Sequence, residues 1–151
     1  MNRIIRIALV FLGFFVLEQA ASAQSNCKEA RGNTVETFDG ISTARGTLSN
    51  AGWLDGTIVA VSYGTANSTP DPSEVTFAST FTLTTNHGQL KGIRIYLFDF
   101  VRNQSTVMMK VDPAASTGIF AGATGVLFNN QIESAVNTFY TVVAGQICFA
   151  R

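Results

Sequence analysis

The chain has 151 residues, with ten basic and ten acidic side chains, 46% hydrophobic and only 13% charged. That length suits one ordinary core, and the balanced charge leaves no basic stripe for nucleic acid. The low charge also forces some outward faces to be apolar, which points to self-association or a ligand surface.

Residues 1–23 read as a secretory signal peptide. Arg3 and Arg6 form the positive n-region, Ile7 to Leu17 is an apolar run broken only by Gly13, and Ala21-Ser22-Ala23 is a small-residue cleavage site. The run is too short for a membrane-spanning helix, which needs ~20 residues. The mature chain then starts near Gln24 and is secreted or periplasmic, with no membrane association after cleavage. It carries eight basic and nine acidic residues. In an oxidising compartment Cys27 and Cys148 are expected to pair as a disulfide, brought together if the first and last strands meet. A buried free thiol at Cys148 is the alternative.

Residues 24–33 are polar and read as a leader, with the barrel domain spanning 34–151. Thr34–Phe38 and Thr43–Leu48 are short strand candidates on either side of Asp39-Gly40. Thr57–Tyr63 is rich in β-branched residues and stops at Gly64. Thr65–Ser73, with Asn67-Ser68-Thr69-Pro70-Asp71-Pro72, reads as a loop. Next, Val75, Phe77, Phe81 and Leu83 alternate with threonines and alanine, the period of a strand with one buried face. Asn86-His87-Gly88 turns this strand back into Leu90–Phe100, completing a hairpin. The returning strand is apolar on both faces, with Ile93, Ile95 and Leu97 on one and Tyr96 and Phe98 on the other. Thr106–Val111 is a further strand. Ile119–Asn129 reads as a strand bent by glycines, Asn129-Asn130-Gln131 as a turn, and Val136–Phe149 as a long final strand. Trp53, after Gly52, is expected to plug a barrel end or pack under a turn. About eight strands with short turns and no long helical period predict an all-β barrel or sandwich.

Three segments resemble the allene oxide cyclase and dirigent-type barrels, a calycin-like architecture. Ser79-Thr80-Phe81-Thr82-Leu83 with His87-Gly88 is similar to the family's hairpin. Gly118, Phe120, Gly122 and Gly125, within Thr117–Gly125, resemble its Ser-Gly-x-Phe-x-Gly-x-x-Gly signature. Thr138–Gly145 is similar to its closing strand. Ser79 and Ala115 stand where the family usually has glycine. The resemblance covers Phe77 to Phe149 and implies an eight-stranded barrel with an apolar pocket, often trimeric. The family includes cofactor-independent cyclases and proteins that steer radical coupling. The signal peptide and cleavage site look bacterial, so the chain would be a secreted bacterial relative, with the Asn67 and Asn103 glycosylation patterns unused.

One histidine, His87, sits in a turn, so a histidine-based catalytic arrangement has little support. With both cysteines expected to pair, a transition-metal site is not expected either. No phosphate or dinucleotide fingerprint occurs, and no cofactor is expected. Glu36, in the first strand candidate beside Val35 and Phe38, could move a proton if it points into an apolar barrel. An outward, solvated Glu36 is the alternative. Arg94, Tyr96 and Phe98 share a strand face and could hold a ligand inside a barrel. Alternatively Arg94 lies outside, its stem covering apolar surface. The reading that follows is a secreted barrel that binds a small apolar molecule. A cofactor-independent cyclase or isomerase using Glu36, and a structural surface protein with a filled barrel, are the alternatives. Interior volume, and whether a carboxylate faces it, separates the three.

Overall fold

Eight strands pair in chain order, each antiparallel to the next, and the last returns to the first. The computed structural model describes residues 26–150; the expected signal peptide, residues 1–23, lies outside them. The strands are β1 Cys27–Phe38, β2 Thr43–Ser49, β3 Gly56–Ser68, β4 Glu74–Thr85, β5 Gly88–Asp99, β6 Gln104–Val111, β7 Thr124–Ala135 and β8 Thr138–Cys148. The result is a closed, all-antiparallel barrel. Closure leaves no sheet edge with unpaired backbone groups.

The seam is the β1–β8 ladder, in register from Cys27 opposite Cys148 to Thr37 opposite Thr138. Cys27 and Cys148 form the expected disulfide at the end of this ladder, linking positions 121 residues apart. The cross-link ties the two strands whose contact closes the cylinder.

Three expectations need correction. Residues 27–33 are not a leader but the first half of β1, so the barrel domain begins at Cys27. Glu29 and Arg31 face solvent, Ala30 and Gly32 point inward, and the Lys28 ammonium lies over the Trp53 and Phe149 rings at the barrel end. Small inward residues made that strand read as polar. The loop expected over 65–73 starts later, because β3 continues to Ser68 across an irregularity between Tyr63 and Asn67. Gly64, at φ 73°, lets the chain turn there and resume pairing at Asn67 opposite Thr76.

The third correction concerns the glycine-rich segment. Gly118–Phe120 is a single 3-10 turn rather than the start of a strand, and β7 begins only at Thr124. Asn129-Asn130-Gln131, expected as a turn, is mid-strand in β7. The final strand starts at Thr138, two residues later than expected, after the 136–137 turn.

The two barrel ends differ. One carries the β2–β3, β4–β5 and β6–β7 connections and the disulfide. Trp53, on the 3-10 turn Gly52–Leu54, packs there against Phe120 and Phe149, with ring centroids 6.0 and 5.4 Å away. Leu48, Leu54, Leu83, Leu90, Leu127 and Ile147 are also buried. Each such side chain is worth ~1.5–3 kcal/mol relative to exposure. Trp53 thus plugs a barrel end, as expected. The opposite end carries the β1–β2, β3–β4, β5–β6 and β7–β8 turns, and it is open.

Candidate functional site: a pocket over a buried ion pair

Alternation along β1 and β5 decides the interior. On β5 the odd-numbered Ile93, Ile95 and Leu97 are exposed, while Arg94 and Tyr96 are buried. On β1 the same period places Thr34 and Glu36 inside. Both side chains left open between inside and outside are therefore inside.

Arg94 reaches across the barrel to Glu36. Its Nη1 donates to Glu36 Oε2 at 2.7 Å and its Nη2 to Oε1 at 3.1 Å, a two-pronged contact. Nη1 also donates to the Tyr96 hydroxyl at 3.1 Å, and Ser79 Oγ lies 3.4 Å from the same oxygen. Arg94 and Glu36 are both essentially without solvent exposure. Burial pulls the guanidinium pKa down, but the Glu36 charge and the Tyr96 oxygen outweigh it, so Arg94 sits above its ordinary value. It stays charged throughout the range in which proteins fold. The Arg94 carbon centre also lies 5.8 Å from the Phe81 ring, a cation–π contact from within the core.

Above this pair the barrel opens into a cavity of about 480 Å³. Glu36 and Tyr96 line its floor, and Phe38, Phe77, Phe98 and Phe139 line its wall. The Phe77 and Tyr96 rings stack at 4.4 Å, nearly parallel. Ala44 and Ala60, inward on β2 and β3, leave the space that larger side chains would fill. Ser105 Oγ donates to Gln131 Oε1 at 2.9 Å, and both residues face the cavity. A smaller cleft of about 310 Å³ lies beside the β5–β6 turn, where Arg102 bonds Asp99.

The structure thus brings Glu36, Arg94, Tyr96 and Phe98 to one site. Arg94 lies beneath the cavity instead of lining it, so it holds Glu36 and Tyr96. The sequence reading missed Gln131 and Ser105 in the cavity, and Asn129, buried on the same face of β7. The signal was present: Leu127, Asn129, Gln131 and Glu133 alternate, but a polar inward row imitates a turn. Gly118, Gly122 and Phe120 belong to the closed end. Among the described residues no cluster of three or more His, Cys, Asp or Glu could hold a metal, and no helix is long and apolar enough to cross a membrane.

No family model, curated protein or solved structure matches this chain.

Proposed function

We propose that this protein is an exported barrel that holds one small, mainly apolar molecule in its open half. One observation carries the reading: a phenylalanine-walled cavity of about 480 Å³ inside a barrel whose other half is packed solid. Such a volume lies in the range of small-ligand sites, and a few polar groups at the floor of an apolar cavity are the usual means of fixing orientation. An open half argues against a barrel that is only structural filler. Export is supported by the signal-like N-terminal sequence and by the Cys27–Cys148 disulfide, a bond that oxidising compartments maintain.

A second reading has its own support, because Glu36 does line the cavity. A cofactor-independent cyclase or isomerase, the activity implied by the resemblance to allene oxide cyclases, would use a buried carboxylate there. Against it, both Glu36 oxygens are engaged by Arg94, an arrangement suited to a fixed polar floor. Confinement of a flexible substrate would then have to supply much of the acceleration. A Glu36→Gln protein that binds a molecule without converting it, beside a wild type that converts it, would establish the second reading.

The binding reading is tested with N-phenyl-1-naphthylamine, a neutral dye that brightens in apolar surroundings. Saturable enhancement with one dye per barrel is expected. Ala60→Phe, which fills the cavity from β3, should abolish it while leaving the circular dichroism unchanged. No enhancement by wild type would contradict binding.

A further inference from the structure

We infer that the molecule this cavity accepts is neutral, with an acceptor oxygen (a ketone, ester, ether or epoxide) at its inner end, and that carboxylic acids are excluded. This rests on the binding reading above. The charged residues lining the cavity are Glu36 and Glu133, and no lysine or arginine lines it. Arg94, the cation beneath the floor, spends Nη1 and Nη2 on Glu36, and its Nε is enclosed. A carboxylate entering the cavity therefore finds no free cation and faces two carboxylates. Burying it unpaired is costly.

The floor instead offers donors. The Tyr96 oxygen accepts from Arg94 and Ser79, so its own proton points away from both. Gln131 Oε1 accepts from Ser105, which leaves the Gln131 amide N–H groups without a protein acceptor, facing the cavity. Two donors in an apolar chamber match an uncharged oxygen acceptor. They match an ammonium poorly, since it has only donors to offer. Glu133 stands beside the β7–β8 turn at the open end, where its Oε1 accepts the Asn137 backbone N–H at 2.9 Å, so it does not pair a head group held at the floor.

The test is displacement of N-phenyl-1-naphthylamine at pH 7 by three eleven-carbon probes: 2-undecanone, undecanoic acid and undecylamine. The ketone should displace at a concentration about tenfold or more below the acid, because only the acid must bury an unpaired charge. Tyr96→Phe should weaken the ketone several-fold more than it weakens the dye, which has no acceptor oxygen for the floor donors. If that variant fails to fold, Gln131→Leu serves the same purpose. Equal displacement by ketone and acid, or preferred displacement by acid or amine, overturns the head-group inference while leaving binding intact. Failure of the dye itself to bind overturns the binding reading and this inference with it.

Discussion

Glu36 and Arg94 are a buried pair, and such pairs behave asymmetrically. Removing one partner strands the other in the interior, which costs ~3–5 kcal/mol, whereas replacing both with apolar residues of similar volume is often neutral. Glu36→Ala should therefore lower stability by several kcal/mol in urea unfolding, and Glu36→Leu combined with Arg94→Met should recover most of that loss. Equal stability of Glu36→Ala and wild type would mean the pair is solvated. A few further polar atoms in the interior, on Thr34, Asn129 and Thr141, have no protein hydrogen-bond partner. They lie on β1, β7 and β8, and Thr34 is directly opposite Thr141. The site's ionic half was readable from sequence as a possibility: the alternation on β5 placed Arg94, Tyr96 and Phe98 on one face. It could not say which face was inside, because both faces of β5 are apolar. Partnership with Glu36, 58 residues earlier in the chain, is a property of barrel closure that no local pattern encodes.

The glycine segment shows how a right residue can carry a wrong element. Gly118 and Gly122 have φ of 65° and 73°, a region open to glycine and strained for side chains. A Cβ on Gly118 would lie 2.2 Å from the His87 carbonyl oxygen, and one on Gly88 would lie 2.3 Å from the Thr117 carbonyl oxygen. The β4–β5 turn and the 3-10 turn are thus pressed backbone to backbone, and Ile119 N–H donates to His87 O across the contact. This packing holds Phe120 over the closed end. Glycine between β-patterned runs usually marks a bend in a strand. Here the glycines serve a connection that turns back over the closed end. Gly118→Val should cost well over ~1 kcal/mol through positive φ and crowding and should shift Trp53 emission, since Trp53 packs on Phe120. Unchanged melting and emission would show that the turn tolerates a side chain. The strands themselves were legible where inward residues were large, as in β4, and illegible where those residues were small or polar, as in the first half of β1 and in β7.

At the scale of the whole barrel, the outer wall is as telling as the cavity. Ile93, Ile95 and Leu97 are exposed on β5. The apolar surface continues sideways, with Ile95 opposite Met108 and Met108 opposite Phe128, which is more than half exposed. Two stretches next to the strands are committed to the sheet and do not cover this wall: residues 27–33 are part of β1 and residues 65–68 part of β3. Contiguous apolar surface of this kind is costly unless covered. A homo-oligomer packed through β5 and its neighbours is the expected cover, and light scattering at micromolar concentration should give a mass above one chain. A clean monomer would contradict self-association. The occupied cavity remains the central claim, and it is most directly tested by native mass spectrometry of the protein isolated without denaturation from its own organism. Binding predicts an excess mass of one small neutral molecule per chain, released on collisional activation and absent from Ala60→Phe. A wild-type protein carrying nothing, or the same adduct on Ala60→Phe, would contradict it.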